Sequence, residues 1–109
     1  MHNMTSVAID FDGTLVEDKF PEIGSPISNR IDAVKRLKES GVKVILWTCR
    51  AGKTLQDAVE WCREQGIEFD AVNENLPEVQ AQWGGDTRKV YCDLYIDDKA
   101  YSDQLLDVL

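Results

Sequence analysis

The chain has 109 residues, 43% of them apolar and 29% charged, enough for one folded domain with a modest core and too short for two. Twenty acidic residues against twelve basic give a net charge of −8, which excludes the clustered Lys and Arg surface that a nucleic-acid backbone demands. No apolar run approaches a membrane span, and nothing in residues 1–6 has the pattern of a signal peptide, so the expected setting is cytoplasmic. Cys49, Cys62 and Cys92 are odd in number and form no CxxC pair, so they read as buried free thiols rather than zinc ligands or a redox pair. His2 is the sole histidine and stands at the chain end, which excludes a triad built on histidine.

The first element in chain order is a short apolar run, Val7 to Ile9, read as a buried strand that ends in the turn Asp12-Gly13. Strand alternation sets Phe11 on one side and Asp10 and Asp12 together on the other. Two carboxylates that close repel, and a hard divalent cation with oxygen ligands, most simply Mg²⁺, resolves the conflict. Residues 16–24 contain Pro21 and Gly24 and no sustained period, so they read as a loop or small hairpin flap over that strand end, with Phe20 and Ile23 packing it or touching a ligand. Ser25-Pro26 is a cap-and-proline signal for a helix whose apolar face is Ile27, Ile31, Val34 and Leu37, closed by Gly41. Its charges, Arg30, Asp32, Lys35, Arg36, Lys38 and Glu39, read as a solvated outer face.

Val42 to Trp47 is nearly continuous and β-rich, as expected of a strand buried on both faces of a parallel sheet, and it ends in Thr48-Cys49-Arg50. Thr54 is the expected cap of a second helix carrying Leu55, Ala58, Val59 and Cys62, with Trp61 at its edge and Gly66 at its end. Residues 67–72 read as a third short strand. The segment 73–89 holds Asn73, Asn75, Pro77, Gly84 and Gly85, loop formers around a short helix from Pro77 to Trp83; the two asparagines serve either turn chemistry or a ligand. A last strand, Val90 to Ile96, runs into the adjacent carboxylates Asp97 and Asp98, and Leu105, Leu106 and Leu109 form a terminal helix.

The stretch Asp10-Phe11-Asp12-Gly13-Thr14, preceded by apolar residues and followed by Leu15, resembles the nucleophile motif of the haloacid dehalogenase (HAD) superfamily of phosphohydrolases. Thr48 closing an apolar strand, Lys89 just ahead of the last strand, and Asp97-Asp98 directly after it are similar to that superfamily's other three motifs, in the same order. The resemblance implies a single HAD-like domain over 1–109, an α/β three-layer Rossmann-like sandwich with a mainly parallel sheet of about five strands. The segments 16–24 and 73–88 are too short for a cap domain, so a capless member is expected, with an open site that a neighbouring subunit of a homo-oligomer could close.

It further implies a Mg²⁺-dependent phosphatase acting on a small phosphorylated metabolite, a sugar phosphate or a nucleotide, with no membrane and no nucleic acid involved. Asp10 is the implied nucleophile and Asp12 the acid and base; the transport ATPases carry threonine at that second position, and dehalogenases lack the acid. Asp10, Asp12, Asp97 and Asp98 are the implied metal residues, with Asp98 as the direct ligand and Asp97 in a water-mediated role. Gly13, Thr14, Thr48, Cys49, Arg50 and Lys89 are the implied substrate contacts, and Lys53 is a further candidate cation. A phosphotransferase or phosphomutase of the same superfamily, or a non-catalytic regulator binding phosphate and metal, are the rival readings.

Overall fold

The computed structural model describes residues 5–85 and 91–96. The expected apolar runs hold the strands β1 (Ser6–Ile9), β2 (Lys43–Leu46), β3 (Ala71–Val72) and β4 (Leu94–Ile96), the last two shorter than the expected 67–72 and 90–96. Between them lie the helices α1 (Ser28–Glu39), α2 (Gly52–Glu64) and α3 (Pro77–Trp83). All pairings are parallel and the order is β3-β2-β1-β4, so about five strands are expected and four are found among the described residues. Lys89, Asp97, Asp98 and the expected terminal helix lie outside the described residues.

The register decides where the site sits. Val72 pairs with Leu46, Leu46 with Ile9, and Ile9 with Ile96, so the four strands finish level on one edge. The chain steps outward from β1 to β2 to β3, then returns to the far side of β1 as β4. That reversal is the switch point at which an open parallel sheet leaves a crevice beyond its carboxyl ends.

Alternation along the strands divides the core into two. Val7, Ile9, Val44, Leu46 and Ile96 face a layer built from Ile31, Val34 and Leu37 of α1 and Ala58 and Cys62 of α2. Ala8, Ile45 and Ala71 face the other way, toward Leu76 and Val79 around α3. Both long helices end alike. Val42 N–H donates to the Leu37 carbonyl and Gly41 N–H to Lys38, while Ile67 donates to Cys62 and Gly66 to Arg63. Gly41 and Gly66 hold φ of 93° and 92°, the left-handed geometry such a helix end requires.

Three local expectations are corrected. α1 starts at Ser28 rather than after Ser25, because the Ser25 carbonyl accepts Glu17 N–H and Pro26 bridges Val16, which spends both residues on the neck of the flap. α2 starts at Gly52 rather than at a Thr54 cap, and the Thr54 hydroxyl donates to the Ala51 carbonyl instead. The charges of α1 are not all solvated: Arg30 Nη1 donates to the carbonyls of Gly13 and Thr14, and Lys38 pairs with Asp70 at 2.9 Å. No helix among the described residues is long and apolar enough to cross a membrane.

The flap is thus a closed loop with a paired neck. A Cβ at Gly24 would stand 2.0 Å from the Glu17 carbonyl oxygen, so only glycine allows the two sides to meet. Gly24→Ala is expected to lower stability by about 1–3 kcal/mol, the range for forced overpacking, and thermal melting measures it.

Asp70 carries a second testable tie. Its Oδ2 accepts both Lys38 Nζ at 2.9 Å and Val44 N–H at 2.8 Å, joining α1 to β2 and the start of β3. Burial pushes this carboxyl up, but the Lys38 hydrogen bond and the Val44 amide outweigh it and hold it below the usual carboxylate range. A carboxyl lowered on folding contributes stability above its unfolded value and loses that contribution as pH falls through the folded one. Asp70→Asn is therefore expected to cost about 1–3 kcal/mol at neutral pH and little once the native carboxyl is protonated. Urea unfolding at neutral and at acidic pH measures the difference.

Candidate active site

Beyond the level edge of the sheet, Asp10 follows β1 directly, and its backbone N–H donates to the Ile96 carbonyl of β4 at 2.9 Å. Asp10 therefore stands at the β1–β4 reversal. Its Oδ1 accepts the Phe11 N–H at 2.7 Å, a bond that fixes the carboxylate against its own turn. Phe11 points the opposite way, fully buried, with its ring edge-on to Trp61 at 5.8 Å. Gly13 turns the chain at φ 81°, and its N–H donates to the Val16 carbonyl.

Two adjoining clefts open on this edge. One, of about 280 Å³, is lined by Asp10, Trp47, Thr48, Cys49, Tyr95 and Ile96 among others. The other, of about 350 Å³, is lined by Asp10, Asp12, Asp18, Phe20, Thr48, Cys49 and Arg50. Asp10, Thr48 and Cys49 are common to both, so residues far apart in the sequence meet at one opening. The Thr48 Oγ1 accepts Arg50 N–H at 3.1 Å, which leaves its own proton to donate outward. Thr48 N–H donates to Asn73 Oδ1 at 2.8 Å, and Asn73 sits at φ 54°.

The residue that sequence reasoning placed wrongly is Arg50. Expected as a substrate cation, it is instead 2% exposed. Nε and Nη2 donate to the two carboxylate oxygens of Asp12, each at 2.8 Å. Nη1 donates to the carbonyls of Pro21 and Thr54, and Nη2 also to that of Glu22. All five guanidinium N–H groups are thereby used, and none remains for a ligand oxygen. The plane lies between two rings, 5.0 Å from Phe11 and 5.2 Å from Phe20, and the Asp12 hydrogen bond raises the guanidinium's affinity for its proton further.

Other expectations sort similarly. Thr14 is fully buried, so it is no direct contact for a ligand; its Oγ1 has no hydrogen-bond partner among the described residues. Lys53 pairs with Asp57 on the outer surface of α2. Asn75 is buried, its side chain accepting Tyr91 N–H and its carbonyl accepting Gln80 Nε2, so it braces the loop. Ile23 packs on the core, while Phe20 is exposed at the mouth. Trp47 and Arg30 were missed. Trp47 falls on the open side of the strand end, a position alternation could have given, whereas nothing in the sequence marks Arg30 as the clamp on the Gly13 and Thr14 carbonyls.

The cysteines, all expected to be buried, differ. Burial pushes the Cys62 thiol up to about 12, while Cys49 is exposed at both clefts. Iodoacetamide near neutral pH is expected to alkylate Cys49 and to leave Cys62 intact until the fold is denatured, as peptide mass mapping reports.

The chemistry of the donor set fits a hard cation in part. The Asp10 carboxylate and the Asp12 carbonyl, which accepts no hydrogen bond among the described residues, offer oxygen at one strand end. The described residues hold no group of three or more His, Cys, Asp or Glu able to bind a metal, and the chain runs from Ile96 into Asp97 and Asp98 outside them.

No family model matches the chain, and no curated protein matches it. Among solved structures, the chain is similar to that of a conserved protein coded by locus from Bacteroides thetaiotaomicron. The two are 38% identical over 95% of this chain and 87% of that one, with a TM-score of 0.83.

Proposed function

The chain belongs to one family with that Bacteroides thetaiotaomicron protein, and from the chemistry of its own site we propose that it is a capless HAD-type, Mg²⁺-dependent phosphatase of small phosphomonoesters. The observation that carries this reading is the meeting of Asp10, Asp12 and Thr48 at the sheet reversal, on an open cleft. A nucleophile, a second carboxylate two residues on and a hydroxyl donor are the minimum set for attack on a phosphoryl group and for holding its oxygens.

In the proposed reaction Asp10 attacks phosphorus in line; the Asp10–phosphorus bond forms as the ester bond breaks. Asp12 gives its proton to the departing oxygen. Water then attacks phosphorus, Asp12 takes the water's proton, and Asp10 is released with inorganic phosphate. The Thr48 hydroxyl donates to a phosphoryl oxygen throughout, and Lys89 is the proposed cation on another. The Asp10 carboxylate and the Asp12 carbonyl, with Asp98 and Asp97, would hold Mg²⁺, which when bound would supply the positive charge that screens the nucleophile. The finer fold assignment, a HAD-like sandwich of about five strands, is part of the same proposal.

Hydrolysis of p-nitrophenyl phosphate with Mg²⁺ and with EDTA tests it: release that depends on Mg²⁺ is expected, and equal rates under both conditions sink it. A second reading, a regulator that binds phosphate without turning it over, has one observation in its favour, the engagement of both Asp12 oxygens by Arg50. Binding of beryllium fluoride to a chain that releases no phosphate from a panel of esters would select that reading.

A further inference from the structure

Resting on the phosphatase reading, we infer that Asn73 is a positioning residue that aims the Thr48 hydroxyl at the phosphoryl group. β3 is two residues long, Ala71–Val72, and β2 beside it has to deliver Thr48 to the cleft beyond the sheet edge. With Leu46 paired to Val72, a regular parallel ladder has residue 73 donate to the Leu46 carbonyl and accept Thr48 N–H with its own carbonyl. Asn73 makes the first bond with its backbone, N–H to the Leu46 carbonyl at 2.7 Å. It makes the second with its side chain, Oδ1 accepting Thr48 N–H at 2.8 Å.

The backbone explains the exchange. At φ 54° the chain turns out of the sheet, and the side-chain oxygen stands in for the carbonyl the ladder would have used. Asparagine is one of the few residues that take this conformation readily, and its short side chain carries an acceptor. The other end of β3 is tied in the same way, Asp70 Oδ2 accepting Val44 N–H at 2.8 Å, so β2 is gripped on both sides of Leu46 by side-chain oxygens. Thr48 is then fixed at two points: its N–H by Asn73, and its Oγ1 by the Arg50 N–H it accepts at 3.1 Å. The hydroxyl proton is left to point outward, at the opening where Thr48 and Asp10 line both clefts. A donor fixed before the substrate arrives needs no reorganisation as charge builds on the phosphoryl oxygens.

A double-mutant cycle tests whether Asn73 acts through Thr48. Glycine takes a φ of 54° without strain, so Asn73→Gly removes the side chain and leaves the turn. Thr48→Val keeps the branched shape and removes the hydroxyl. With p-nitrophenyl phosphate and Mg²⁺, Thr48→Val is expected to lower kcat/KM by about 10²-fold, the lower end for loss of one preorganised donor. Asn73→Gly is expected to lower it by about 10-fold, part of that effect, and the double variant by no more than Thr48→Val alone. Losses that multiply in the double variant would mean that Asn73 acts apart from the Thr48 hydroxyl, or on the fold alone, and overturn the inference.

Amide hydrogen exchange supplies a second arm that needs no turnover, and Asn73→Asp, which keeps an acceptor at the same place, supplies the conservative variant. Exchange at the Thr48 N–H is expected to rise several-fold in Asn73→Gly and to stay near the native rate in Asn73→Asp. Equal protection in Asn73→Gly would mean that another group holds this amide, and overturns the inference. A native chain that releases no p-nitrophenol with Mg²⁺ removes the phosphatase reading and this role with it. An active native chain whose cycle is multiplicative removes only the role given to Asn73.

Discussion

Asp10→Asn is expected to abolish Mg²⁺-dependent release of p-nitrophenol, lowering kcat by about 10⁴-fold or more, as the loss of a nucleophile does in enzymes with a covalent intermediate. The substitution removes charge and nucleophilicity while keeping shape. The amide oxygen it introduces can still accept the Phe11 N–H that Asp10 Oδ1 accepts at 2.7 Å, so the turn is retained and the melting temperature changes little. Circular dichroism melting alongside the assay separates chemistry from folding. A variant that keeps more than about a hundredth of the native rate excludes Asp10 as the nucleophile, since one part in a hundred is only about 2.7 kcal/mol of barrier.

Arg50→Ala is expected to produce a large loss of stability. It leaves the Asp12 carboxylate and the carbonyls of Pro21, Glu22 and Thr54 without their donor, and it opens a space between Phe11 and Phe20. Breaking a buried pair by removing one partner costs about 3–5 kcal/mol, because the remaining charge is stranded. In a domain of this size each kcal/mol moves the melting temperature by about 4–8 °C, so the variant sits near its unfolding threshold at ordinary temperatures. The double variant Asp12→Asn with Arg50→Met should be less destabilised than the sum of its parts, since the stranded charge is gone; strict additivity in a double-mutant cycle would contradict the pairing.

What the sequence revealed and what it hid follow from range. Val7 to Ile9 and Pro77 to Trp83 were legible because apolar runs, periodicity and a first-turn proline act over a few residues. The meeting of Asp10, Asp12 and Thr48 was legible because parallel strands bring their carboxyl ends to one edge, whatever lies between. Arg50 was not. A cation just after a strand looks the same whether it turns outward to a ligand or inward, and the partner that decides the matter, Asp12, is 38 residues away. Ser25-Pro26 failed for a related reason: the residues that cap a helix also suit the end of a bridged loop, and only the pairing with Glu17 and Val16 tells them apart. Arg30 is a third case, since helical spacing marks the face of a residue and not the carbonyls of Gly13 and Thr14 that its side chain reaches.

The way Arg50 holds the flap has a consequence for how the protein can change. It grips the backbone carbonyls of Pro21 and Glu22, and no flap side chain takes part in those bonds. The neck is likewise closed by main-chain pairing between Glu17 and Ser25. The exposed side chains of Glu17, Lys19 and Glu22 can therefore be exchanged with little effect on how the loop is anchored, whereas the Asp18 carboxylate accepts Phe20 N–H at 3.3 Å and lines the cleft beside it. The surface charge of the flap can drift by point substitution while the interior stays constant. For a designer, these three positions are a library site whose variants all inherit the same anchored loop.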